Sequence, residues 1–231
     1  MRSRLCADPA PQRRIDFVFD LLVTVFPLFY SRVMDIDVES AYTARAAEYV
    51  SLFDSMDSVH PADRHLVSDW ATRLDGPLID VGCGPGQWTN YLAGLGCDVR
   101  GIDLSPMFVA HARNAYPGRS FGVGTMAAIE ADTSTVAGVL AWYSMIHQDP
   151  CAGPDCLLEF ARVIRSGGGL LLGFFEGDAV ASFDHAVVTA YRWPVRAMVE
   201  RVERAGFRVS ETYTRTGPGY RPHGAISAIR R

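Results

Sequence analysis

Three glycines at alternate positions mark where this chain could do chemistry. Leu78-Ile79-Asp80-Val81 is a short apolar run, and Gly82-Cys83-Gly84-Pro85-Gly86 follows it directly. Glycine at 82, 84 and 86 removes every Cβ that would hold a ligand away from the backbone. Gln87 to Leu95 then returns to a helical pattern. A strand, a glycine bend and a helix N-terminus together suit a nucleotide-like ligand, because unpaired N–H groups and the positive end of the helix dipole meet there. Asp103 follows Gly82 by 21 residues, at the end of a second predicted strand, Asp98 to Ile102. A carboxylate in that position accepts hydrogen bonds from both hydroxyls of a ribose. An ordinary glycine turn would explain one of the three glycines and would leave Asp103 without a purpose.

Further side chains of chemical interest follow a fourth predicted strand, Val136 to Trp142. Ligands sit outside the carboxyl ends of parallel strands, so Trp142, Tyr143 and His147 are placed where a reaction could occur. An aromatic face attracts positive charge, and packing is the equal alternative for both rings. His147 titrates in the range that suits proton removal near neutral pH; a buried structural histidine is the competing reading. His185 stands beside Asp184, but neighbours on a strand face opposite sides, so the two do not make a ready dyad. Arg192 would hold an acidic acceptor or simply be solvated.

The composition narrows the field. At 231 residues with 48% apolar side chains, the chain suits one α/β domain with a substantial core. A net charge of −4 gives no electrostatic footprint for nucleic acid. All 22 basic residues are arginine, which excludes a P-loop lysine and a lysine Schiff base. Five cysteines, at 6, 83, 97, 151 and 156, are odd in number and irregular in spacing. They make neither a disulfide framework nor a metal knuckle, and reduced thiols point to the cytoplasm.

The elements that must position these residues read off in order. Residues 1–33 form an extension in which four arginines precede an apolar run, Ile15 to Tyr30. Asp16, Asp20 and Pro27 interrupt it, and it is shorter than the ~20 residues of a membrane span. A packed helix, or an extension ahead of a true start at Met34, is favoured over membrane attachment. Residues 34–231 form the domain proper. Asp35 to Asp54 suggests a helical approach carrying Tyr42 and Tyr49, and Ser58 to Leu74 an amphipathic helix. Ser105 caps a helix that has Pro106 at its first position. Arg119 to Val123 is a third strand and Pro154 to Ile164 a helix. Arg165 to Gly169 reads as a turn, Leu170 to Phe175 as a strand buried on both faces. A helix from Pro194 to Ala205 precedes two closing strands, from Gly206 and from His223.

Val-Gly-Cys-Gly-Pro-Gly at 81–86, taken with Gly-Ile-Asp-Leu-Ser-Pro at 101–106, resembles the class I S-adenosylmethionine-dependent methyltransferases of the small-molecule type. The resemblance extends over roughly Tyr42 to Arg231. It implies a Rossmann-like three-layer α/β/α sandwich. The sheet would have seven mostly parallel strands in the order 3-2-1-4-5-7-6, closed by an antiparallel hairpin. It implies S-adenosylmethionine as cofactor, with Asp80, Gly82, Gly84 and Gly86 around the methionine end and Asp103 on the ribose. Leu104 and Ser105 would lie beside the adenosine, and Gly124, Thr125 and Met126 beside the adenine. Tyr42 would close over the cofactor, Trp142 and Tyr143 would face the sulfonium or the acceptor, and His147 would be the base. The acceptor would be a small neutral or aromatic molecule, handled by a monomer or homodimer. Two rivals stay open: a nicotinamide oxidoreductase, disfavoured by GxGxG in place of GxGxxG, and a cofactor-binding protein without turnover.

Overall fold

A computed structural model describes residues 55–150, 155–185 and 188–231, together with Ser40. The expectations for residues 1–33 and for Tyr42 fall outside the described residues. After a 3-10 turn at Met56–Ser58, the helices are α1 Pro61–Thr72, α2 Gln87–Gly94, α3 Pro106–Ala115, α4 Cys156–Val163 and α5 Val195–Arg204. The strands are β1 Leu78–Val81, β2 Val99–Asp103, β3 Ser120–Val123, β4 Val136–Trp142 and β5 Ile164–Glu176. Then come β6 Ala181–Phe183, β7 Ala190–Trp193, β8 Phe207–Arg215 and β9 His223–Arg230.

Local chemistry sets several of these boundaries. His60 caps α1 by accepting the Ala62 N–H on Nδ1 at 3.1 Å, with Pro61 at the first helical position. The helix therefore starts three residues later than the apolar periodicity suggests. Ser105 caps α3 through the Phe108 N–H, and Asp155 caps α4 through the Leu157 N–H. β4 is buried along nearly its whole length, as expected of a central parallel strand covered on both faces.

The main sheet runs β3-β2-β1-β4-β5-β9-β8, with all strands parallel except β9, which pairs antiparallel with both β5 and β8. This is the expected seven-strand order. Two strands are additional, so the expected seven become nine among the described residues. Phe175 of β5 pairs with Arg192 of β7 and also with His223 of β9. A strand has only two edges, so β7 must lie on the β4 edge of β5, in line with β4 and beyond its carboxyl end. β6 pairs with β7 antiparallel, and the Gly177 N–H donates to the Trp193 carbonyl at the stem of the insertion, 3.3 Å. Ala181 to Phe183 and Ala190 to Trp193 thus form a hairpin set beyond the carboxyl end of β4. The glycine-rich stretch from Arg165 to Gly169 is also corrected. It lies within β5 as a bulge: Ile164 and Gly169 pair with Val136 and Gly138 of β4, and Gly167 between them has a left-handed φ of 78°.

The helices cover both faces. Val67, Trp70 and Ala71 of α1 and Trp88 and Leu92 of α2 pack with Leu78, Leu140 and Leu171. On the other face, Leu157 and Phe160 of α4 and Met198 and Val202 of α5 pack with Ile79, Val139, Leu172 and Ile226. Phe160 is fully buried in that layer. Phe160→Ala is expected to cost about 3–5 kcal/mol of stability, read from the denaturant midpoint at unchanged slope. Among the described residues, no helix is long and apolar enough to cross a membrane.

Candidate active site

The bend after β1 is tied to β2 before any ligand is considered. Gly82 N–H and Cys83 N–H both donate to the Ile102 carbonyl, at 2.8 and 3.0 Å. Gly82, Gly84 and Gly86 have φ of 67°, 54° and 92°, the left-handed region that glycine enters without cost. Space is short as well. A Cβ on Gly82 would stand 2.4 Å from the Ser144 Cβ, and one on Gly86 would stand 2.8 Å from Ala112 and from the Phe121 ring. The bend therefore brings bare backbone to the carboxyl edge of the sheet and leads into the N-terminus of α2.

Asp103 joins the loops after β1 and β2. Its Oδ2 accepts the Gly84 N–H and its Oδ1 accepts the Ser105 N–H, each at 2.8 Å. Each oxygen keeps a lone pair for a further donor. Burial pushes the Asp103 carboxyl above its usual range, against the pull of those N–H groups. Asp80, at the same edge, is buried and accepts from the Thr89 hydroxyl at 2.7 Å. Its pKa is pushed up to about 7, chiefly by burial and further by the Asp103 charge. The third loop meets the second: Gly124 N–H donates to the Asp103 carbonyl at 2.9 Å. The Thr125 hydroxyl accepts the Ala127 N–H at 3.2 Å, and Met126 packs against the core beneath α4. The structure thus brings Asp80, the three glycines, Asp103, Leu104, Ser105 and Gly124 to Met126 to the ends of three adjacent strands.

The residues present suit a polar, cationic ligand with a sugar. Two carboxylates converge beside exposed backbone. In addition, Ser144 Oγ and Gln87 Oε1 are buried with no hydrogen-bond partner among the described residues, one opposite Gly82 and one at the start of α2. Buried polar atoms are rarely left so, and a ligand bound against the bend would be placed to serve them.

A second group of side chains lines the ends of β4 and β5. Trp142 stands edge-on to Trp88, ring centroids 6.0 Å apart, and packs with the α1–α2 layer. Tyr143 has φ of 58°, a backbone state that costs a non-glycine residue about 1–3 kcal/mol and gathers at functional sites. The turn swings its ring against Phe175 at 5.3 Å, and its hydroxyl meets Nδ1 of His223. His147 is buried, and its Nδ1 lies 2.9 Å from the Thr189 carbonyl. A carbonyl only accepts, so Nδ1 carries the proton and Nε2 is the basic nitrogen. Burial lowers the His147 pKa to about 4, so the ring is neutral at pH 7. His185 from the hairpin stacks edge-on to His147 at 5.3 Å, and Phe183 meets Phe175 at 5.4 Å.

Sequence reasoning did not single out His223, Tyr220, Asp63 or Arg215 for this site. Arg215 of β8 forms a 2.6 Å ion pair with Asp63 of α1, largely shielded from water. The partners are 152 residues apart, and no local pattern joins them. The one available signal was the aromatic and histidine content of the turn from Tyr220 to His223.

Comparison with known proteins agrees with this geometry. Residues 78–168 match the family described as a methyltransferase domain. The malonyl-[acyl-carrier protein] O-methyltransferase of Salmonella typhimurium is 31% identical over 109 residues, covering 47% of this chain and 42% of that enzyme. The chain spans about half the length of the first curated relatives it matches. Among solved structures, the [4+2]-cyclase SpnF has a TM-score of 0.60 at 20% identity, covering 73% of this chain and 81% of that one. The 1,6-didemethyltoxoflavin-N1-methyltransferase of Burkholderia thailandensis was solved with 1,6-didemethyltoxoflavin and S-adenosylhomocysteine bound. It has a TM-score of 0.59 at 19% identity, covering 96% of this chain and 93% of that one. Residues 78–168 are thus similar to a methyltransferase domain, and the fold is shared with solved S-adenosylmethionine-dependent methyltransferases. A cyclase shares the fold, so the reaction must be argued from the site.

Proposed function

We propose that the protein transfers a methyl group from S-adenosylmethionine to a small acceptor with a neutral or aromatic body. One observation carries this reading: the Asp103 carboxylate spans Gly84 and Ser105 beside three left-handed glycines. When bound, the cofactor supplies a methyl group already activated on sulfur. The chain's own residues bind and orient. Asp103 takes the ribose hydroxyls, the bend accommodates the methionine end, and Asp80 faces its ammonium directly or through water. Leu104, Ser105, Gly124, Thr125 and Met126 border the base. Tyr143 and His147 stand where the acceptor enters, and the hairpin rings of Phe183 and His185 cover it. Alignment of two bound reactants accounts for about 7–11 kcal/mol of barrier in favourable cases, and no covalent nucleophile is needed.

Calorimetry with S-adenosylhomocysteine and with NAD tests the reading. Micromolar binding of the first and none of the second is expected; the reverse would establish the oxidoreductase. Tight binding with no transfer to any acceptor would leave a binding protein.

The Asp80 carboxyl gives this binding a pH dependence. In the free protein its pKa is raised to about 7, so it is mostly protonated below that pH. A cationic ammonium favours the ionised form, so ligand binding releases a proton there. Affinity for S-adenosylhomocysteine is expected to rise as pH goes from 5.5 to 7, by up to about tenfold per unit, and then to level off. Free-protein stability moves the other way. The folded state binds more protons than the unfolded chain between about pH 4 and 7, so its contribution falls as pH rises through that window. Calorimetry in buffers of different ionisation enthalpy counts the proton released.

A further inference from the structure

We infer that Tyr143 and His223 form a proton-accepting pair for the acceptor, and that the acceptor is therefore a phenol or enol methylated on oxygen. The inference rests on the methyltransferase reading above and goes beyond it in naming the accepting atom.

The pair is built from distant parts of the fold. Tyr143 follows β4, and His223 opens β9, which flanks β5 on its other edge. The left-handed turn at Tyr143 carries its hydroxyl across β5 to Nδ1 of His223. The two rings stand edge to face, centroids 5.3 Å apart. Phe175 packs on both rings and Tyr220 on His223, at 5.3 to 5.9 Å. Tyr143 adjoins Ser144, which faces Gly82 of the bend, so one turn carries both the residue against the bend and the phenol that meets His223.

Charges around the pair keep it ready to take a proton. His223 is held below its ordinary pKa, first by burial, then by Arg215 of β8, with His60 beside α1 adding and Asp63 of α1 opposing. It is neutral at pH 7. Tyr143 is held above its ordinary pKa by burial and by Asp63, against the pull of Arg215. Its hydroxyl is therefore a proton carrier and not a standing phenolate. The Arg215–Asp63 pair is locked at 2.6 Å, so these influences are fixed.

The step balances. As the acceptor oxygen takes the methyl group, its proton passes to Tyr143 Oη, and the Tyr143 proton passes to His223 Nδ1. The C–S bonding pair stays on sulfur, and the positive charge moves from sulfonium to imidazolium. His147 is less suited to this task, since its Nδ1 is committed to Thr189 and it lies further along the loop. In this arrangement Tyr143 is the catalytic residue and His223 a positioning residue that acts through it.

The test measures S-adenosylhomocysteine affinity by calorimetry, and methyl transfer to a panel of phenols, enols and malonate half-thioesters. It compares wild type, His223→Gln and Tyr143→Phe. With phenols, both variants are expected to lose about 10²-fold in kcat at unchanged S-adenosylhomocysteine affinity. The acid limb of the kcat profile, where His223 takes a proton from solvent, should vanish in His223→Gln. A carboxylate is already ionised and needs no base, so any slow transfer to the half-thioester should change less than threefold. A phenol rate within threefold of wild type in both variants overturns the proposal. So does an equal loss on phenol and carboxylate, which would mark a structural role. A wild-type protein that binds S-adenosylhomocysteine but methylates only carboxylates, or none of the phenols and enols, overturns it as well. Absence of S-adenosylhomocysteine binding in wild type overturns the methyltransferase reading itself.

Discussion

Replacing Asp103 with alanine is expected to weaken S-adenosylhomocysteine binding by about 10²-fold or more, with the fold retained. Hydrogen bonds to a charged group contribute roughly 1.5–3 kcal/mol each, and this carboxylate has lone pairs for two ribose hydroxyls. The same substitution leaves the Gly84 and Ser105 N–H groups without their acceptor, which loosens the bend that the ligand must meet. The two losses act together. Asp103→Asn separates them: the amide oxygen can still serve one loop N–H, while its NH₂ group opposes the other. An intermediate affinity is expected for asparagine. Asp80 supplies an internal readout, because removing the neighbouring charge lowers its pKa and shifts the rise in affinity to lower pH. An alanine variant within threefold of wild type in calorimetry would show that the ligand lies elsewhere.

Gly82→Val is expected to have the largest combined effect on binding and stability. Valine must enter the left-handed region at φ near 67°, and its Cβ would stand 2.4 Å from the Ser144 Cβ. Left-handed strain in a β-branched residue and overpacking each cost about 1–3 kcal/mol. The relief available is displacement of the bend or of the Tyr143–Ser144 turn, and both are parts of the site. Thermal unfolding in rising S-adenosylhomocysteine should show a lower midpoint and no shift with ligand. Wild type should gain about 2.7 kcal/mol at a hundredfold excess over Kd. A ligand-dependent shift in the variant equal to that of wild type would refute the placement of the ligand against this bend.

Much of the scaffold was legible because it is written in short range. β4 is a continuous apolar run of strand length and β1 is apolar but for Asp80, and both fall at the predicted residues. The α3 start follows from Ser105 and Pro106. The glycines and Asp103 were legible for the same reason, since backbone conformation and strand spacing fix their types. The rest depends on contacts remote in sequence. The β6–β7 hairpin has strands of three and four residues and no apolar alternation, so its signal resembled a loop. The glycines from 167 to 169 suggested a turn; Gly167 does take a left-handed φ of 78°, but Gly169 already pairs with β4 and β9, so the bend is a bulge inside β5. His223 gained its place only through register: pairing with Phe175 and Arg215 sets it 80 residues from Tyr143 and within reach of its hydroxyl.

The β6–β7 hairpin has a consequence for redesign. It leaves and rejoins the domain at neighbouring backbone positions, Gly177 and Trp193, and takes no part in the strand order that carries the glycine bend. Grafting residues 177–193 should therefore transfer acceptor preference while the nucleoside half of the protein stays intact.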